Sequence, residues 1–235
     1  MKAMIFAAGR GTRLKPLTDT RPKALVEVDG VPLLEITLRR LAAAGTREVI
    51  VNTHHFADQV RHFIDTRGAE HFGLWRIAIS EERELLDTGG GLMKASWFFD
   101  DTMPFLVHNV DVLSNVDLAA FITAHTESGA FATMAAMPRE TERPLLFDAQ
   151  GLLAGRGTPA SPKLVRAIEG ETVALGFCGI HAISPAIFPL ITERGAFSIV
   201  DAYLRLAAQG TRIRAGRIDA ARWRDCGRRE DLRPL

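Results

Sequence analysis

The sequence predicts an α/β fold in which helices cover a mostly parallel, doubly wound β-sheet. Short apolar runs that are typical of buried strands alternate along the chain with segments of helical periodicity, and this alternation indicates βαβ units. The composition agrees, because 47% hydrophobic and 24% charged residues suit a globular protein with a substantial core. We expect residues 1–235 to form a single domain.

The order of the elements follows from the same patterns. Residues 2–8 are predicted to be a strand buried on both faces, because a continuous apolar run follows Lys2 and ends at Gly9. Residues 32–44 are predicted to be a helix, because Leu34, Leu38 and Leu41 lie on one face. The later elements are predicted as strand 48–52, helix 57–66, strand 75–80, helix 91–98, strand 105–108, helix 117–128, strands 131–137 and 174–183, helix 198–208 and strand 212–218.

One stretch, residues 138–170, is less regular than the rest. It contains several Gly and Pro residues and only short apolar pieces, so we predict hairpins and loops there. A lid over a substrate is one hypothesis for its role. We find no internal repeat, and we expect no appended C-terminal β-helix domain.

Charge and cysteine content exclude several classes of function. The net charge is +1, with 29 basic and 28 acidic residues, so no basic surface for a nucleic-acid backbone is indicated. The N-terminal apolar run is interrupted by Gly9 and Arg10 and is too short to span a bilayer. The two cysteines form no CxxC pair, which favours a reducing cytoplasm. The sequence does not indicate an oligomeric state.

A glycine-rich loop directly follows the first predicted strand. In open α/β sheets, ligands bind beyond the carboxyl ends of the strands. Glycines there allow backbone N–H groups to approach phosphates, and Arg13 and Lys23 add positive charge. Leu14 and Pro16 do not fit the dinucleotide motif G-x-G-x-x-G, and no Walker A loop is present. An NAD-dependent dehydrogenase is therefore disfavoured.

The loop resembles the GxGTRLxPLT…PKxL signature of sugar-1-phosphate nucleotidyltransferases. The resemblance implies a Rossmann-like nucleotide-diphospho-sugar transferase fold with three α/β/α layers. It also implies that the loop wraps a nucleoside triphosphate and that Arg13 and Lys23 are the catalytic cations. The matching residues are Gly9-Arg10-Gly11-Thr12-Arg13-Leu14-Lys15-Pro16-Leu17-Thr18 and Pro22-Lys23-Ala24-Leu25. The nucleotide-binding residues implied in this region are Ala8, Gly9, Gly11, Thr12, Arg13 and Lys23.

Further segments carry the same resemblance. The segment 86–91 (LDTGGG) is similar to the family's second glycine segment, which implies that Thr88, Gly89 and Gly90 lie beside the nucleobase. The segment 177–181 (FCGIH) resembles the strand that lines the sugar pocket, which implies that Gly179 binds the sugar together with Trp223. The Glu-Lys-Pro segment that many family members carry is absent.

Two aspartates are the candidate magnesium ligands. Asp111 follows a buried run and is expected at the carboxyl end of a strand, and Mg²⁺ usually takes one or two carboxylates plus substrate phosphates. By resemblance, Asp111 and Asp225 hold the metal, and Asn109 occupies the family's usual Asn position beside the nucleotide. The family pattern W-x-D-x-G-T has Arg228 in place of Thr in this chain.

Other polar residues are expected to be structural. We interpret Glu81, Glu82 and Glu84 as a solvated acidic turn, and the alternative is that one of these carboxylates meets a base or a sugar hydroxyl. His108 and His181 lie in apolar runs and are predicted to be core histidines.

The resemblance implies an Mg²⁺-dependent reaction in which a nucleoside triphosphate and a sugar 1-phosphate give a nucleotide sugar and pyrophosphate. The short length and the LxTGGG segment are most similar to the N-acetylmuramate 1-phosphate uridylyltransferases, which points to UTP and N-acetylmuramate 1-phosphate. Mannose-1-phosphate guanylyl transfer and CTP with phosphocholine remain alternatives. A non-catalytic nucleotide-binding module is the alternative from a different class.

Overall fold

The computed structural model describes all residues from 1 to 235. The strands are β1 (Lys2–Phe6), β2 (Glu27–Val28), β3 (Val31–Pro32), β4 (Glu48–Thr53), β5 (Arg76–Glu81), β6 (Phe105–Asn109), β7 (Val112–Ser114), β8 (Ala132–Met137), β9 (Leu145–Phe147), β10 (Leu153–Thr158), β11 (Ser161–Leu164), β12 (Val173–Ile183), β13 (Ile213–Arg217) and β14 (Trp223–Asp225). The α-helices are α1 (Leu33–Ala43), α2 (Ala57–Arg67), α3 (Asp87–Lys94), α4 (Leu118–Ser128) and α5 (Ile199–Ala208).

The central part of the ten-stranded sheet has the order β5-β4-β1-β6-β12-β8-β13. Six of these seven strands point the same way, and only β12 runs in the opposite direction. An antiparallel extension, β9-β10-β11, continues from the first half of β12. The predicted mostly parallel sheet is therefore confirmed, and its parallel strands end at one common edge, which we call the carboxyl edge.

Two apolar cores lie on opposite faces of the sheet. Along β1, Ala3 and Ile5 belong to one core, whereas Met4 and Phe6 belong to the other, as the two-residue period of a strand requires. The first core packs against α1, α2 and α4, and the second packs against α3 and α5. The α/β/α layering is confirmed, because each face of the sheet is covered by helices.

The main correction to the predicted elements concerns α3. It covers Asp87–Lys94 rather than residues 91–98, so all three glycines of the LDTGGG segment are helical. A Cβ atom added to Gly89 would lie 2.2 Å from the Phe197 ring, and one added to Gly90 would lie 2.3 Å from the Gly195 carbonyl oxygen. Close packing against residues 195–197 therefore overrides the low helix propensity of glycine, which costs about 1 kcal/mol per residue.

The irregular stretch 138–170 contains hairpins. Strands β9, β10 and β11 pair antiparallel in succession. Two short strands, β7 and β14, were not predicted, and they pair with each other apart from the large sheet. None of the helices combines the length and the apolar character needed to cross a membrane.

Candidate active site

The glycine-rich loop begins at the carboxyl edge, where β1 ends. Gly11 has φ +64°, and an added Cβ atom there would lie 2.9 Å from Thr18 Cγ2 and 3.1 Å from Lys23 Cβ. The Thr18 hydroxyl donates a hydrogen bond of 2.8 Å to the Gly11 carbonyl oxygen. Gly11 therefore lets the loop fold back tightly over Lys23. Gly9 differs, because an added Cβ atom there would meet nothing within 4 Å.

Lys23 and the two predicted metal ligands are brought together. The Lys23 ammonium forms an ion pair with Asp111 Oδ2, and the two side chains are only 13% and 12% exposed. Asp111 follows β6, and Asp225 closes β14, which pairs with β7 directly after Asp111. The backbone N–H of Cys226 donates to the Asp111 carbonyl oxygen at 2.7 Å. Pairing of the two short strands thus joins residues that are 114 positions apart (225 minus 111).

The electrostatics of Asp225 reflect this convergence. Burial raises the pKa of its carboxyl group, and the negative charge of Asp111 raises it further. A hydrogen bond of 2.7 Å from the Gly227 N–H to Asp225 Oδ1 opposes this shift, as do the charges of Lys23 and Arg13. A Cβ atom added to Gly227 would lie 2.6 Å from both Arg13 Nη2 and Asp225 Oδ1. Arg13, Lys23 and both aspartates therefore lie close together.

The two carboxylates fit a magnesium ion. No third His, Cys, Asp or Glu joins them in a group that could hold a metal, and Mg²⁺ needs only one or two carboxylates when substrate phosphates supply further oxygen ligands. Two partly buried like charges destabilise one another unless a cation lies between them. Arg228, which replaces the family's usual Thr, has its Nη1 3.9 Å from Glu230 Oε1, and its side chain is 61% exposed.

A buried polar network beneath the loop was missed at the sequence level. The Ala7 N–H donates to Asn52 Oδ1 at 2.7 Å, and Asn52 Nδ2 donates to Glu82 Oε1 at 2.8 Å. The other Glu82 oxygen accepts the Leu86 N–H at 3.0 Å. Glu82 is 2% exposed, so its interpretation as part of a solvated turn was wrong. No sequence signal distinguishes it from the exposed Glu81 and Glu84 on either side.

The start of α3 packs against this network and against the segment before α5. A Cβ atom added to Gly91 would lie 2.7 Å from Glu82 Oε1. The Gly89 N–H donates to the Phe197 carbonyl oxygen at 2.8 Å, and the Thr88 hydroxyl accepts the Ile199 N–H at 3.0 Å. The backbone donor of Gly89 is therefore engaged within the protein.

Gly179, Asn109 and Trp223 also lie together. Gly179 has φ +72° at an irregularity in β12, and an added Cβ atom would lie 2.8 Å from Asn109 Nδ2. The Trp223 indole N–H donates to the Cys178 carbonyl oxygen at 2.8 Å. Trp223 and Asp225 are alternate residues of β14, so their side chains point to the same face of that strand. The residues predicted to bind the sugar thus adjoin the paired aspartates.

The two histidines in apolar runs are buried core residues, as predicted. Burial lowers the pKa of His108 to about 4 and that of His181 to about 3. Both rings are therefore neutral near pH 7. His181 Nδ1 lies 3.2 Å from the Tyr203 hydroxyl, inside the second core.

Comparison with known proteins gives a consistent result. The family model described as nucleotidyl transferase matches residues 2–147. The N-acetylmuramate alpha-1-phosphate uridylyltransferase of Caulobacter vibrioides is 36% identical over 214 residues, which cover 88% of this chain and 85% of that protein. A mannose-1-phosphate guanyltransferase of Yarrowia lipolytica is 31% identical over 89% of this chain and 56% of its own length. The crystal structure of a UDP-glucose pyrophosphorylase complexed with UDP-glucose superposes with a TM-score of 0.77 at 18% identity, covering 98% of this chain and 95% of that one.

Proposed function

This chain belongs to the nucleotidyl transferase family, and we propose that it joins UTP to an N-acetylated sugar 1-phosphate, N-acetylmuramate 1-phosphate, and releases pyrophosphate. The proposal depends on one observation. Lys23, Arg13, Asp111 and Asp225 converge beside a glycine loop whose Gly9 has open space around it. Such a cleft suits a polyphosphate, because cations and backbone donors face its charge while the carboxylates can hold a divalent metal.

In the proposed reaction, an oxygen of the sugar phosphate attacks the α-phosphorus of the triphosphate. The bond between the α-phosphorus and the oxygen bridging to the β-phosphate breaks, and pyrophosphate leaves. The nucleophile is already ionised, so the protein needs no general base, and catalysis depends on positioning and charge stabilisation. Arg13 and Lys23 would stabilise the charge that develops on the α-phosphate and on the leaving group.

Asp111 and Asp225 are the residues that would hold Mg²⁺. When bound, the metal neutralises charge on the reacting phosphates. The protein prepares this position through the β7–β14 pairing and the Cys226 N–H bond to Asp111. The Lys23 ammonium compensates the charge of Asp111 directly. Asn109 and Thr88–Gly90 remain proposed nucleotide contacts, and Gly179 and Trp223 remain proposed sugar contacts.

The choice of substrates rests on similarity to the Caulobacter uridylyltransferase, which extends over most of both chains. Guanylyl transfer to mannose 1-phosphate is the second candidate, since the Yarrowia guanyltransferase is similar over 89% of this chain. We also propose that residues 1–235 act as one catalytic domain, with residues 138–170 at its substrate side. Both cysteines are free and buried, and we propose a cytoplasmic location on that basis.

The decisive experiment is a matrix of the four nucleoside triphosphates against several phosphorylated acceptors, with and without Mg²⁺, in which pyrophosphate release is measured. We expect turnover with UTP and N-acetylmuramate 1-phosphate that requires the metal. Lys23→Ala should lower kcat by about 10²–10³-fold, as for loss of a preorganised charge-stabilising group. Arg212→Ala is the control, because Arg212 is exposed at the amino end of β13, on the opposite edge of the sheet. Nucleotide binding without turnover for every pair would indicate a non-catalytic module instead.

A further inference from the structure

Arg139 lies next to the proposed sugar site, and none of the roles proposed above involves it. It follows β8, which ends at the carboxyl edge. Its guanidinium carbon is 4.7 Å from the centroid of the Trp223 ring, and its Nη2 donates to the Phe177 carbonyl oxygen at 2.7 Å. A Cβ atom added to Gly176 would lie 2.5 Å from Arg139 Cγ. The fold therefore makes room for this side chain and holds it in a fixed position.

The charge of Arg139 is not balanced by any acidic residue. No carboxylate lies within 4 Å of its guanidinium nitrogens. Its Nη1 meets only the Glu140 carbonyl oxygen, at 3.2 Å, and its Nε has no partner although it is buried. Among the other partly buried arginines, Arg166 and Arg205 are paired with Asp148 and Glu193, whereas Arg40 donates to Ser114 Oγ and the Val116 carbonyl oxygen.

A partly buried cation without a counter-charge is unfavourable, and carbonyl groups and an aromatic face compensate it only in part. An anionic ligand would complete this site. The position of Arg139 points to the sugar substrate. Trp223, which Arg139 contacts, is a proposed sugar contact, and it shares one face of β14 with Asp225 at a spacing of roughly 7 Å. Arg139 thus contacts the ring of Trp223, two residues before the proposed metal ligand Asp225.

We propose that Arg139 is a specificity-determining residue that binds an anionic group of the sugar substrate. The inference rests on the proposed function and extends it to a substrate class. The anion has two sources, the 1-phosphate that every such substrate carries or a carboxylate on the sugar. The carboxylate is favoured, because Arg13 and Lys23 already serve the phosphate end of the cleft. N-acetylmuramate 1-phosphate carries such a carboxylate on its lactyl ether, whereas N-acetylglucosamine 1-phosphate is the same sugar without it.

The test compares these two sugars with wild type, Arg139→Gln, Arg139→Lys and the control Arg212→Gln at saturating UTP. For Arg139→Gln we expect KM for N-acetylmuramate 1-phosphate to rise about 10- to 100-fold, the usual effect of losing a charge-assisted hydrogen bond. The kcat should stay within about threefold. KM for N-acetylglucosamine 1-phosphate should not change. Arg139→Lys should restore part of the affinity, and Arg212→Gln should behave as wild type.

The outcomes separate the alternatives. An equal rise of KM for both sugars would show that Arg139 binds the 1-phosphate. It would exclude a role of Arg139 in selecting acidic sugars. Unchanged KM for both sugars in a folded Arg139→Gln, checked by thermal melting, overturns the proposal. Titration calorimetry with N-acetylmuramate 1-phosphate measures the Arg139 contribution without turnover. Binding that depends on Arg139 in a protein without transferase activity would contradict the proposed function and leave this inference standing.

Discussion

At the scale of single residues, the two loop glycines show that the same residue type serves different purposes. Gly11 has a positive φ and would clash with Thr18 and Lys23 if it carried a side chain. Gly9 has neither constraint, so nothing within the protein explains the absence of a side chain there. Its open surroundings are the space that the proposed triphosphate would occupy.

This difference leads to a paired prediction. Gly11→Ala should lower the free energy of unfolding by about 1–3 kcal/mol, because a left-handed backbone conformation and overpacking are combined. Gly9→Ala should leave stability within about 1 kcal/mol of wild type and weaken UTP binding. Urea denaturation and nucleotide titration measure the two effects. Unaltered UTP affinity in Gly9→Ala would contradict the assignment of this space to the nucleotide.

Asp225 provides a second prediction at this scale. Because burial and Asp111 raise its pKa, the ionised carboxylate costs stability above its unfolded-state pKa of about 4. Asp225→Asn should therefore raise the free energy of unfolding at pH 7 without metal, by about 0.5–2 kcal/mol, and this gain should vanish as the pH falls below about 4.

The same variant should lose activity and the stabilisation that Mg²⁺ gives to the nucleotide-bound wild type. Thermal melting with EDTA, and then with UTP and Mg²⁺, checks both statements. Destabilisation of Asp225→Asn at pH 7 would show that the attraction of the carboxylate to Lys23, Arg13 and the Gly227 N–H outweighs its burial and the repulsion from Asp111.

At the scale of elements, α3 shows how tertiary packing determines a helix that its sequence disfavours. Three successive glycines lie in its first turns, and each faces a neighbour that leaves no space for a methyl group: the Phe197 ring, the Gly195 carbonyl oxygen and the Glu82 carboxylate. The helix therefore holds the second glycine segment against the segment before α5 and against the buried polar network.

A substitution in α3 tests this account. Gly89→Ala would normally stabilise a helix by about 1 kcal/mol, but here we expect a loss of about 1–3 kcal/mol because of the Phe197 ring. The double variant with Phe197→Leu should recover part of the loss. A double-mutant cycle in urea measures the coupling. Additive effects of the two substitutions would mean that the close packing is not the cause.

Strands β7 and β14 explain why part of the site could not be predicted from patterns. Each has three residues, too few for a two-residue period to be recognised, and they pair across more than a hundred positions. Asp111 was indicated by its place after a buried strand, but Asp225 was indicated only by family resemblance. The sequence did not single out Glu82 or Arg139. The burial of Glu82 and the missing counter-charge of Arg139 are properties of the folded chain.

At the scale of the whole molecule, the alternation of strands and helices was sufficient to predict the sheet and both helical layers. The pattern could not show that β12 runs against its neighbours, because direction depends on connections through the irregular residues 138–170. This reversal brings the first half of β12, with Gly176 to Gly179, to the carboxyl edge. Gly179 on the proposed sugar side therefore comes from within a strand, whereas Asp111, Arg139 and the glycine-rich loop follow strand ends.

The Asn52–Glu82 network connects β1, β4 and β5 at this edge with the segment before α3 and gives a prediction for the molecule as a whole. Glu82→Ala should cost about 1–3 kcal/mol of stability, because it leaves Asn52 and the Leu86 N–H without their buried partner. It should also lower kcat/KM, since the Ala7 N–H at the start of the loop is held through Asn52. Glu84→Ala, on the exposed turn beside it, is the matched control. Equal stability of the two variants would exclude a structural role for Glu82.

The late position of β14 has a consequence for synthesis of the protein. A ribosome that has released residues up to β13 has already produced the complete glycine-rich loop and Asp111, yet Asp225 is still to come. Nonsense mutations or frameshifts before codon 225 should consequently yield chains that retain most of the sheet but have no paired carboxylates. Under the proposed function, termination at any codon before 225 would abolish turnover although most of the sheet is present.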